Sequence, residues 1–139
     1  MFTQPQILMA ASAVVLLLLG SVHLLYTFRG NKLYPRDTHL ERQMRVVSPV
    51  LSNQTTMWQV WIGLSASHSC GAIFFGLVYG YLALAQGEVL FHSRYLILVG
   101  LALLGAYIYL ARTYWFRLPF LALLLSTTLY LAALLPNFS

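Results

Sequence analysis

The sequence predicts an all-α membrane protein: a four-transmembrane-helix bundle, N and C termini outside, with a short amphipathic cytoplasmic segment between helices 1 and 2. Three observations carry this expectation. The first is composition: 60% of the 139 residues are hydrophobic and 8% are charged, against about 25% charged in a typical soluble domain. The second is the spacing of the charges. No Asp, Glu, Lys or Arg occurs in residues 1–28, 46–87, 95–111 or 118–139. Each gap holds an apolar run near the roughly 20 residues that cross about 30 Å of hydrocarbon. Lipid offers the backbone no hydrogen-bond partner, so such runs must be helices. The third is the sidedness of the basic residues.

The elements follow in order, within a single membrane domain of residues 1–139. The first span is expected over residues 7–28, just after Pro5. It differs from a secretory leader: residues 1–6 carry no positive charge, the run exceeds an h-region, and no small-residue cleavage site follows. A retained helix is the expectation. The second span covers 55–85, long enough to tilt or protrude. The third covers 95–111. The fourth covers 118–135, with Pro119 suited to a first turn and Pro136 beyond the end.

Orientation follows from the positive-inside rule. The connection after the first span holds Arg29, Lys32, Arg36, Arg42 and Arg45, and that after the third holds Arg112 and Arg117. The opposite side has Arg94 alone, so five plus two face one. Both basic connections are therefore expected in the cytoplasm of a bacterial-type inner (plasma) membrane. The net charge of +5 has this topological origin and implies no nucleic-acid partner. Tyr26, Phe28, Trp58, Trp61, Tyr114, Trp115 and Phe116 cluster at the same ends, as interfacial aromatic belts do. The single Cys70 excludes a disulfide framework.

The polar segment 29–54 has its own pattern. Thr38 and Glu41 form a capping-box spacing, and Leu40, Met44 and Val47 recur at helical intervals before Pro49. Two readings stay open: an amphipathic helix on an anionic leaflet, or a solvated basic loop.

The second span is the most informative. Gly63, Ser67 and Gly71 repeat at four-residue spacing, as do Ala72, Gly76 and Gly80. Such small-residue rows let helix backbones approach where lipid gives no hydrophobic drive. They serve packing within the chain or a homodimer face. His68 lies about ten residues beyond Trp58, hence roughly 15 Å deep, whereas His23 lies five residues before Phe28, about 7–8 Å deep. An ionisable side chain in a span faces inward and often marks function. Trp61 and Tyr79 share the face of His68 by spacing. His68 has three competing readings. It is a neutral histidine hydrogen-bonded to Ser65, Ser67 or Ser69 or to another helix; a haem or metal ligand with His23; or part of a pocket with Trp61, Tyr79 and Ser65 for a lipid or apolar ligand. Unequal depth argues against an axial pair. No span holds a carboxylate to complete a metal site. In the fourth span Ser126, Thr127 and Thr128 are expected to hydrogen-bond within or across helices.

Several of these residues carry a resemblance. Gly20 followed three residues later by His23, Met44 in the connection, the Trp58, Trp61, Gly63 series and the Phe116, Arg117, Pro119 series resemble an uncharacterised family of small bacterial four-helix integral membrane proteins. The resemblance covers most of the chain and implies fold and topology, with no activity.

No nucleophile elbow or phosphate loop occurs, and catalytic residues are not expected. The leading expectation is a non-catalytic accessory or lipid/apolar-ligand-binding subunit, with a cavity between the first two spans. It needs no cofactor and associates with membrane lipids, a larger membrane complex or a second copy. The alternatives are a haem-binding or other redox protein using His68 and His23, and a small dimeric transporter. The transporter is disfavoured by the lack of intramembrane carboxylates.

Overall fold

The computed structural model describes residues 1–135, and every regular element among them is a helix. In order they are α1 (Gln4–Phe28), α2 (Thr38–Val46), α3 (Met57–Ala85), α4 (Gly87–His92), α5 (Arg94–Tyr114) and α6 (Arg117–Leu134). Four of them, α1, α3, α5 and α6, are long and apolar enough to cross a membrane. They correspond to the four expected spans. Pro136, expected just past the last span, lies outside the described residues.

The helix starts follow local caps. Helix α1 begins three residues earlier than expected because Thr3 and Gln6 close a capping box. The Thr3 amide donates to Gln6 Oε1 at 2.8 Å, and the Gln6 amide donates to Thr3 Oγ1 at 3.4 Å. Pro5 then sits harmlessly in the first turn. Helix α3 begins two residues later, because Thr56 and Gln59 make the same reciprocal pair at 2.9 and 3.3 Å. In α2 the expected Thr38–Glu41 box does not form. Asp37 caps the helix instead, accepting from the His39 amide at 2.8 Å, which leaves Glu41 to pair with Arg45. Ser93 caps α5, and the short α4 was not anticipated. Helix α1 ends at Phe28, and Gly30 follows in the left-handed region at φ 82°. That is the usual C-terminal glycine device.

The chain divides into two compact units, Met1–Leu19 with Ala72–Ser139, and Gly20–Gly71. In the first, Met9, Ala13, Leu16, Phe75, Leu90, Leu104, Leu123 and Tyr130 are buried. Because lipid is as apolar as leucine, this core is held by close packing and hydrogen bonds rather than by hydrophobic drive. The Ala72, Gly76 and Gly80 row faces α1. A Cβ at Gly76 would lie 2.6 Å from Leu17 Cβ and 2.8 Å from the Ala13 carbonyl oxygen. At Gly80 it would meet Ala13 at 3.7 Å. Three polar anchors join other helix pairs. Ser12 and Ser126 bond across α1 and α6. The Tyr79 hydroxyl donates to the Leu96 carbonyl at 2.6 Å, and that of Tyr130 to the Ile97 carbonyl at 3.1 Å. Gly100 makes room for both tyrosines, since a Cβ there would collide with the Tyr130 hydroxyl and Tyr79 Cε1.

The second unit comprises the last turns of α1, the connection with α2, and the first half of α3. Its polar contacts gather at the connection. Arg45 pairs with Glu41 at 2.9 Å and lies over the Trp58 ring at 4.2 Å. Tyr34 packs edge-on to Trp58 at 4.8 Å. The Glu41 hydrogen bond holds the Arg45 guanidinium above its ordinary range.

Candidate functional site

The second unit brings together the two histidines of the spans. The His23 and His68 ring centroids are 5.8 Å apart with planes at 88°. Rings this close differ in depth by no more than that separation, less than the spacing of the apolar runs implies. His23 lies five residues before the end of α1, while His68 lies eleven residues after the start of α3. The Trp61 indole donates to the Leu33 carbonyl at 3.1 Å. That carbonyl lies beyond the end of α1, so Trp61 stands at the level of the connection rather than at the end of the neighbouring span.

The remaining candidates separate. Trp61, 43% exposed, walls a cleft with Leu33, Tyr34, Pro35 and Met44, about 300 Å³ in volume. The Ser67 hydroxyl donates to the Gly63 carbonyl at 2.8 Å, and the Ser69 hydroxyl to the Ser65 carbonyl at 3.0 Å. Both protons are spent one turn back on α3, so neither serine donates to His68. Tyr79 belongs to the other unit, where its hydroxyl is committed to Leu96 and its ring stacks on Phe75 at 4.4 Å. The small-residue rows also part. Gly76 is pressed against α1, whereas a Cβ at Gly63 would meet nothing within 4 Å, and Ser67 beside it is exposed. Gly63 and Ser67 therefore do not serve close packing within their unit.

In the fourth span, Thr127 and Thr128 donate to the Leu123 and Leu124 carbonyls of their own helix, so Ser126 alone of that cluster crosses to another helix. A second, wider groove of about 630 Å³ runs along α5 and α6. Ile97, Leu98, Leu101, Leu131, Leu134 and Leu135 line it, with Arg94 at one end.

Chemically, these features amount to two imidazoles in an apolar setting and two apolar clefts. Among the described residues, no group of three or more His, Cys, Asp or Glu converges as a metal site. The chain matches no protein-family model, no curated protein and no solved structure.

Proposed function

We propose that this chain is a non-catalytic accessory subunit of a bacterial-type inner membrane that holds a lipid or another apolar small molecule. The supporting observation is the cleft walled by Leu33, Tyr34, Pro35, Met44 and Trp61. Four apolar or aromatic walls and one indole suit an apolar occupant, because small-molecule sites are concave, mostly apolar and sparsely polar. In this reading the four spans form one bundle, both basic connections are cytoplasmic, and the ends lie outside. The seven-to-one bias of Lys and Arg supports that orientation.

Mass spectrometry of the protein purified in mild detergent tests the binding role. The wild type carries a defined lipid or apolar molecule, and Trp61→Ala loses it while remaining folded. Equal content in both would discard the cleft. For orientation, cysteines at Thr3 and Thr38 are placed singly in a Cys70→Ala background. The first labels from outside intact cells and the second does not; the reverse pattern inverts the topology.

A second reading, a haem-binding or other redox protein, draws on the closeness of the His23 and His68 rings. As they stand, the rings touch edge to face and would have to part to admit a macrocycle. A Soret band in purified protein that vanishes in His68→Leu would favour it. A spectrum without that band, in protein purified from haem-replete cells, removes it.

A further inference from the structure

We propose that the turn at residues 49–52 is a hydrophobic wedge that inserts into the adjoining membrane leaflet and is drawn there by anionic phospholipid. The Ser52 amide donates to the Pro49 carbonyl at 3.2 Å, closing the turn. Its two central residues are Val50 and Leu51, exposed to 109% and 95%. Turn centres ordinarily hold Gly, Asn, Asp or Ser, which supply unusual φ or local hydrogen bonds. Two adjacent aliphatics there serve neither purpose. Val46 and Val47, shortly before the turn, are exposed as well, adding apolar surface to the same connection.

The loop holds this surface outward. The Met57 amide donates to the Val47 carbonyl at 2.8 Å, clamping the two ends. The Gln54 amide donates to Ser52 Oγ at 3.2 Å, and Pro49 fixes its own φ. A clamped loop of this size is a compact unit with a defined tip.

Three features select a lipid surface as the occupant. Residues 46–56 contain no charged side chain, so shallow insertion desolvates only uncharged polar groups. Next, the preceding segment is basic. Arg29, Lys32, Arg36, Arg42 and Arg45 face Asp37 and Glu41, five minus two, or a surplus of three. Both carboxylates are already engaged, Asp37 with the His39 amide and Glu41 with Arg45. A polybasic juxtamembrane segment with exposed aliphatics is the pattern that binds anionic leaflets. Finally, Leu51 is six residues from the start of α3, which restricts it to about 20 Å from that point. A membrane-crossing α3 keeps the tip within reach of the headgroups. The inference does not depend on the Trp61 cleft being a binding site.

The test uses the full chain with Cys70→Ala and Leu51→Cys, carrying an environment-sensitive fluorophore on the new thiol, in lipid nanodiscs. Phosphatidylcholine discs are compared with discs containing phosphatidylglycerol. The expected result is a blue-shifted emission, quenched by lipids spin-labelled near the headgroup and stronger with phosphatidylglycerol. Each basic residue contributes about a fivefold preference for the anionic surface, so Arg36→Gln with Arg42→Gln sharply reduces the phosphatidylglycerol dependence. A label at Thr38 stays water-like throughout. Water-like emission at position 51 in both lipid compositions overturns the proposal. So does burial seen only in native membranes, which would assign the turn to a partner protein. Burial that grows with protein concentration at fixed lipid overturns it in favour of a second copy.

Discussion

Ser12 of α1 and Ser126 of α6 exchange hydrogen bonds across 114 residues of sequence: each hydroxyl donates to the other's main-chain carbonyl, at 2.8 and 3.0 Å. Both side chains are fully buried, and their oxygens approach to 2.9 Å. Two protons serve three short contacts, so the two carbonyl bonds can form together while the hydroxyl contact alternates with either. Membrane hydrogen bonds of this kind average about 0.6 kcal/mol and reach about 1.7. Ser12→Ala and Ser126→Ala are each expected to lower detergent-phase stability within that range. Because each bond uses a different hydroxyl, the double variant should lose close to the sum. A double variant no worse than either single would show that the two bonds act as one.

Gly76 and Gly63 lie on the same helix but differ in what faces them. At Gly76 a methyl group would meet Leu17 and the Ala13 carbonyl inside contact distance, and backbone atoms cannot swing aside. Gly76→Ala is expected to cost about 1–3 kcal/mol. Gly63→Ala meets open space and gains helix propensity, so it should be neutral or stabilising by up to about 1 kcal/mol. Thermal melts of the two variants side by side decide this, and equal melting temperatures would refute the assigned packing face.

Gly30 isolates a backbone effect. A Cβ there touches nothing, yet φ is 82°. Gly30→Ala should therefore lose about 1–2 kcal/mol from conformation alone. Gly105→Ala, equally open but at an ordinary helical position, should lose nothing.

The His23–His68 contact predicts coupling. His68→Leu removes the ring that meets His23 edge-on and is expected to cost on the order of 1 kcal/mol. A double-mutant cycle of His23→Leu with His68→Leu should show an interaction on the order of 1 kcal/mol, as for other edge-to-face ring pairs. Strict additivity would mean that the rings are neighbours without energetic contact.

The spans were readable because hydropathy and charge gaps act over twenty residues at a time. Their starts were less so, since two capping boxes at Thr3 with Gln6 and Thr56 with Gln59 carry only two residues of signal each. His23 and His68 stood out as the two histidines of the spans, but the closeness of their rings was not legible. Depth was counted from the ends of the apolar runs, which assumes that neighbouring helices end level. The connection instead seats Trp61 against Leu33, a contact that hydropathy does not announce. The assignment of Tyr79 to packing rather than to a pocket likewise depended on a carbonyl from another helix, Leu96, which no local pattern announces.

The slot at Gly100 has a consequence for how the protein is made. Synthesis delivers α5 to the membrane before α6, because chains emerge from the N-terminus. Until α6 arrives, the bare backbone at Gly100 faces a notch that the Tyr130 hydroxyl will fill, and the Ile97 carbonyl lacks its tyrosine. Met9, Ala13 and Leu104 lie in the same core as Leu123 and Tyr130, so they too wait for the last helix. The serine exchange between Ser12 and Ser126 closes at that same moment. A nascent chain that stalls before residue 117 thus keeps an open notch at Gly100 and lacks the Ser126 partner of Ser12.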